Sequence, residues 1–162
     1  MHSTVSDSQS LTVRQPHIEM SFMRAVERVR RTALSLARSL SFEKPNLLVI
    51  ELAALLHDVL DKKYVSADEA SNPYAYFLPF FRSLASDYDL DLITSGRARL
   101  IVQIVENVSW TTEKTLRESG QIEEWHETCV ELHCVQDADR LDAIGAFGNS
   151  QALHFRRWSM TN

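Results

Sequence analysis

Apolar positions in this chain recur mostly at helical spacing. Met23, Val26, Val29, Ala33, Leu36 and Ala37 form an i, i+3/i+4 stripe with arginines opposite. That stripe predicts a helix from about Glu19 to Leu40. SFEKPN interrupts the pattern, with Pro45 where a new helix would start and Asn46 near its cap. From about Asn46 to Leu60 the chain is apolar nearly all round: Leu47, Leu48, Val49, Ile50, Leu52, Ala53, Ala54, Leu55 and Leu56. A helix greasy on every face belongs in the centre of a domain. SADEASNPYAYFLPFF, where Pro73 and Pro79 bracket aromatics, predicts a loop and a short helix. TSGRARLIVQIVENVSW predicts a helix starting near Ser95, and TTEKTLRESG reads as a polar connection. The last helix is expected from about Gln121 to Ala143, ending at Gly145. β-like alternation is scarce. The expectation is an all-α, single-domain bundle over residues 19–148, of five or six helices. Residues 1–18 are read as a mobile N-terminal tail and 149–162 as an irregular C-terminal one.

Composition narrows the function classes. The chain has 162 residues, 44 % of them hydrophobic, enough for one domain with a core. A net charge of −5 and the lack of a Lys/Arg block argue against a nucleic-acid polymer as partner. The pair Lys62–Lys63 is too short for a polybasic patch but long enough to meet one phosphate. No run reaches the 18 or so apolar residues of a membrane span. MHSTVSDSQSLTVRQP has no apolar core of the secretory kind. Cys129 and Cys134 lie five apart in a predicted helix and point to different sides, so no disulfide is expected. A reducing, cytoplasmic setting suits that.

One feature conflicts with a purely structural reading. ELAALLHDVLDKKY places His57 beside Asp58 at the end of the greasiest segment. A carboxylate there costs several kcal/mol unless paired. A cation is the natural partner. Asp61 lies four beyond His57 and three beyond Asp58, on the same helical face. Imidazole with carboxylate suits Mn, Fe, Co, Zn or Mg. The plainer alternative is a solvated helix end. VQDADRLDAIGA then gathers Asp137, Asp139 and Asp142 around Arg140. These acids are either an ion-paired helix face or the source of one more ligand from across a helix pair.

Together the segments ERVRRTALSLA, ELAALLHDVLDKKY, IVENVSW and VQDADRLDAIGAFG resemble, in order, blocks of the HD-domain superfamily of metal-dependent phosphohydrolases. The likeness is to a small bacterial and fungal nucleotide-hydrolase branch and spans roughly residues 20–148. It implies an HD-type helical domain with one or two divalent metals (Mn, Mg, Co, Zn or Fe). His57, Asp58 and Asp137 would be metal ligands. Asp61 would act as general acid or base, and Lys63 and Arg28 would neutralise substrate phosphate. The substrate would be a nucleotide or similar small phosphate compound.

Two departures bear on activity. The branch has its first ligand His three residues before the position of Arg28, where this chain has Ala25, and a methyl group binds no metal. His17, eight residues earlier, would lie about 80° off that face and about 12 Å along the axis of a continuous helix. After AIGAFG, the segment NSQALHFRRWSMTN departs from the family's further helical region. The competing expectation is therefore a non-catalytic HD-domain relative that binds a phosphate ligand or a protein partner.

Other side chains carry alternatives of their own. His126, Cys129 and His133 share one helical stripe, either a zinc site or a packed Cys flanked by half-exposed histidines. Glu51 either supports the metal site from behind or pairs with an arginine of the first helix. Asn107 and Ser109 either line a pocket or cap a helix. NVS also fits a glycosylation sequon, without a secretion signal to support its use. Tyr74, Tyr76, Phe77, Phe80 and Phe81 suit core or pocket-lid positions, and base stacking is the alternative. Ile122, Trp125, Phe155 and Trp158 add apolar surface that favours association, so a homodimer is one expectation.

Overall fold

The structure is a computed structural model that describes residues 16–41, 44–60, 65 and 71–159, with side chains from 20 to 145 within those ranges. Among the described residues the fold is all-α, built from seven helices. They are α1 (Pro16–Ser39), α2 (Leu47–Leu56), α3 (Pro73–Tyr88), α4 (Arg97–Asn107), α5 (Trp110–Glu118), α6 (Glu124–Thr128) and α7 (Val130–Ser159).

The apolar α2 is the centre, as its sequence demands. Val49, Ile50, Ala53 and Ala54 are fully buried, and α2 packs on α1, α4 and α7. The two alanines are small enough to let the neighbouring helices close in. Asn46 starts α2 by accepting a hydrogen bond from the backbone N–H of Val49 (3.3 Å), and Glu131 of α7 accepts the N–H of Asn46 itself (2.8 Å). The first helix presents Val26, Val29, Ala33 and Ala37 of the expected stripe inward, with Leu36 half buried, but Met23 is 62 % exposed. It runs antiparallel to α7: Arg28 reaches Asp142, while Leu36 and Leu40 share a cleft with Val130 and Cys134.

Several boundaries differ from the expected ones, each for a local reason. Helix α2 stops at Leu56 rather than Leu60; His57 is its C-cap, and residues 57–60 turn back, with Val59 N–H donating to Leu56 C=O (3.0 Å). The aromatic segment is one 16-residue helix. Asn72 caps it through Ala75 N–H (3.1 Å) and Pro73 suits its first turn. Pro79 is tolerated inside it because both Pro79 and Ala75, whose carbonyl it cannot serve, lie on the solvent side. Phe77 and Phe81 enter the core from this helix, Tyr74 and Tyr76 pack at its edge, and Phe80 is exposed.

The segment read as a polar connection is helix α5. Ser109 caps it by accepting Thr112 N–H (3.1 Å), and the i, i+4 pairs Glu113–Arg117 and Lys114–Glu118 support it. The single last helix is two: Cys129 adopts an extended backbone (ψ 98°) between α6 and α7. Helix α7 then runs through Gly145 to Ser159, well past the expected stop and into the segment expected to be irregular. One interior glycine costs only about 1 kcal/mol against alanine, too little to end a helix of good formers. The stretch 1–15 of the expected N-terminal tail lies outside the described residues, and α1 already begins at Pro16, inside that tail.

Candidate metal centre

The turn after α2 and the middle of α7 build one polar site against the core. The His57 side chain is only 4 % exposed. Its Nδ1 lies 2.7 Å from the carbonyl oxygen of Ala54. A carbonyl can only accept, so Nδ1 carries a proton and donates. The other nitrogen, Nε2, faces Asp58 Oδ2 at 3.4 Å and Asp139 Oδ1 at 3.7 Å. Two carboxylates converging on an imidazole lone pair repel it and each other. A second ring proton, a proton on Asp139 or a cation between them relieves that repulsion.

The electrostatics of Asp139 agree. Burial is the main force pushing its carboxyl above the usual carboxylate range, and Asp58 and Asp142 push the same way, against the pull of His57 and Arg140. A backbone carbonyl holding Nδ1–H is also the arrangement that fixes a metal-binding histidine's tautomer and aims its free nitrogen. His57, Asp58 and Asp139 thus fit a divalent cation in donor type, one imidazole with two carboxylates. As the side chains stand, no group of three or more His, Cys, Asp or Glu among the described residues is closed to metal-binding distances. The carboxylates would have to draw in for an ion to be held.

The acid that faces His57 across the helix pair is Asp139; the expected ligand Asp137 does not. Two residues along an α-helix turn the side chain through about 200°. Leu132, Val135 and Ala138 are buried and set the inner face of α7, and Asp139 adjoins it. Asp137 lies on the outer side, 61 % exposed and 3.6 Å from Arg140. The phase of those apolar residues was present in the sequence and would have selected Asp139.

The predicted phosphate-binding Arg28 is placed close by but already engaged. Its Nε and Nη2 donate to both oxygens of Asp142, at 2.6 and 3.0 Å. That pair ties α1 to α7 one helical turn from Asp139. Ala25, one turn before Arg28, offers no donor. Asp61 and Lys63, the expected acid–base and phosphate residues, lie outside the described residues. Glu51 pairs with Arg30 of α1, which Glu27 also holds (2.7 and 2.8 Å), so it has a structural partner away from His57.

The histidine–cysteine stripe does not converge. His133 Nε2 donates to the carbonyl of His126 (2.8 Å). His126 accepts Glu123 N–H on Nδ1 (3.1 Å) and reaches Asn107 Oδ1 through Nε2 (3.3 Å). Cys129 is buried, and burial raises its thiol pKa. Cys134 is also a buried thiol outside any disulfide. The histidines instead line a cleft of about 230 Å³ between α5, α6 and α7, with Asn107, Glu113, Arg117, Gln136 and Arg140. Of the pair in the sequon, Asn107 faces this cleft and Ser109 is a helix cap.

Comparison with known proteins gives one distant relative to report. Over 113 residues the chain is 31 % identical to the uncharacterized protein YpgQ of Bacillus subtilis (strain 168), a match covering 70 % of this chain and 47 % of that protein. The chain thus spans about half the length of this relative. No family model matches the chain, and no solved structure matches it. Among the described residues, no helix is long and apolar enough to cross a membrane.

Proposed function

We propose that the chain is a divalent-metal-dependent phosphohydrolase of the HD-domain type, acting on nucleotides or similar small phosphate compounds. The observation that carries this reading is the face-to-face placement of His57 Nε2 with Asp58 and Asp139. The ordered sequence blocks that flank those residues support it.

A bound divalent ion would polarise a phosphoryl oxygen and lower the pKa of water. The chain's own residues do the rest. Ala54 C=O holds the His57 ring so that Nε2 faces the cation position. Asp58, half exposed, and Asp139, deeper in, supply the negative charge that retains the ion. Asp61 is assigned the proton and Lys63 the substrate phosphate, both on the strength of the resemblance. Arg28 keeps α1 and α7 in register through Asp142, and its remaining exposed N–H groups can still reach an anion.

The second reading, a non-catalytic relative that binds a phosphate ligand or a protein partner, is favoured by two specific observations. Ala25 replaces a ligand of the resembled family, and Arg28 is already committed to Asp142. The two readings separate in one experiment. Purified protein is given Mn²⁺, Mg²⁺, Co²⁺ or Zn²⁺ with a panel of nucleotides, and released phosphate and pyrophosphate are measured. The phosphohydrolase reading expects metal-dependent release that EDTA stops and Asp139→Asn abolishes, while Asp137→Asn keeps it. If release is absent with every metal and Ala25→His restores it, the non-catalytic reading replaces the enzyme.

A further inference from the structure

Helix α7 carries a row of apolar positions that the bundle does not use. The faces of Leu132, Val135 and Ala138 are buried, whereas Leu141 and Ile144 are both more than half exposed. Trp110, in the first turn of α5, stands exposed beside them. The Arg140 guanidinium, one helical turn before Ile144, lies 5.4 Å from its ring centroid. An open Trp next to an arginine is the side-chain pairing enriched at the centres of protein interfaces. The row also keeps its spacing to the end of the helix. Leu141, Ile144, Gly148, Gln151, Phe155 and Trp158 follow one another in alternating steps of three and four. A repeat averaging 3.5 residues is the spacing of a seam against another helix. This one runs for roughly 26 Å.

The charge pattern says which helix completes the seam. In the sequence of α7, Glu131, Asp137, Asp139 and Asp142 stand in the first half with Arg140, and no acid follows Asp142. Arg156 and Arg157 stand in the last turn. Two such helices side by side in parallel set acidic half against acidic half and repel. Turned antiparallel, each sets its basic end over the acidic half of the other, and the contact closes on a two-fold axis. Asp137, on the outer side and exposed, is an acid open to that approach.

We propose that the face of Leu141, Ile144 and Trp110 docks the same face of a second copy of this chain, with the two α7 helices antiparallel. Asp139 lies about 200° round the helix from Leu141, so the contact is independent of the proposed catalytic reading. Sedimentation velocity of the full chain tests it. Wild type is expected to be a dimer at about 100 µM. Ile144→Glu and Leu141→Glu replace exposed side chains, so each should keep the helical circular dichroism while weakening association about tenfold or more. Arg156→Glu with Arg157→Glu should weaken it too, and Asp137→Lys added to that pair should restore part of the loss. Tyr88→Ser, also at an exposed position and far along the chain from the seam, should leave it unchanged. A wild type that stays monomeric at that concentration overturns the proposal, whatever other partner the face takes. So does a dimer that both glutamate variants form as tightly as wild type, or one that the arginine reversals leave unweakened.

Discussion

In the proposed function the chemistry turns on His57, because its two nitrogens face different partners. Nδ1–H is spent on Ala54, so Nε2 is the side that faces Asp58 and Asp139. In metal-free protein near neutral pH, ¹⁵N NMR should report either a ring protonated at both nitrogens or one protonated at Nδ1 alone. Addition of Zn²⁺ should shift Nε2 and leave Nδ1 protonated; a shift at Nδ1 instead would contradict the assigned geometry. The contrast between Asp137 and Asp139 shows how far sequence spacing reaches. Acid type and approximate position were legible in DADRLDA, but helical phase decides which acid faces inward, and the neighbours Val135 and Ala138 carry that information. Asp58, singled out by the cost of a carboxylate in an apolar run, stands half exposed in the turn after α2. Arg28 was legible as a residue near the site, but its bidentate pairing with Asp142 depends on the α1–α7 register, which one-dimensional spacing does not give.

Glu113 illustrates a pH effect tied to packing. Burial alone would raise its carboxyl pKa, but Arg117 and Arg140 outweigh that and hold it below the usual carboxylate range. A depressed carboxyl stabilises the fold above its unfolded pKa, about 4.3, and that contribution is lost as pH falls through the lower folded value. Urea denaturation from pH 7 to pH 3 should therefore show a smaller acid-side loss in Glu113→Gln than in wild type, with lower stability at pH 7. An unchanged slope would mean that the two arginines do not hold this carboxylate.

Among the helices, apolar faces were read well and ends poorly. The central position of α2 and the inward stripe of α1 followed from patterning because burial is what the pattern encodes. The missed helix α5 has two large apolar side chains, the exposed Trp110 and Leu116, buries none fully, and rests on its Ser109 cap and surface ion pairs, signals too weak to outweigh its polarity. Ser109→Ala should cost about 1 kcal/mol in thermal or chemical denaturation, and no loss would mean that the cap is not made. Helix α7 offers a sharper check. Gly145 lies within it without a positive φ, and a Cβ added there meets nothing within 4 Å. Gly145→Ala should stabilise the protein by about 0.5–1 kcal/mol. A destabilising result would indicate that the helix does not pass through this residue.

For the molecule as a whole, the bundle brings an apolar helix end and an acid-rich helix together at one point, where His57 faces Asp58 and Asp139. If a divalent ion is the partner, binding is linked to folding. At a hundredfold excess over Kd, one site should add about 2.7 kcal/mol. For a chain of this size that corresponds to roughly 5–10 °C in Tm. EDTA should reverse the gain, and Asp139→Asn should prevent it. The repulsion between Asp58 and Asp139 also predicts that Asp58→Asn raises the metal-free Tm while removing the metal-induced increase. The match to YpgQ extends over 70 % of the chain, so the same measurements on that protein are a natural companion.

The most direct test is a Mn²⁺ titration followed by electron paramagnetic resonance, on wild type, Asp137→Asn and Asp139→Asn side by side. The expected result is saturable Mn²⁺ uptake by wild type and Asp137→Asn alike, with affinity reduced well beyond about tenfold in Asp139→Asn. Uptake that is absent in wild type, or that is lost in Asp137→Asn and kept in Asp139→Asn, would contradict the placement of a cation among His57, Asp58 and Asp139.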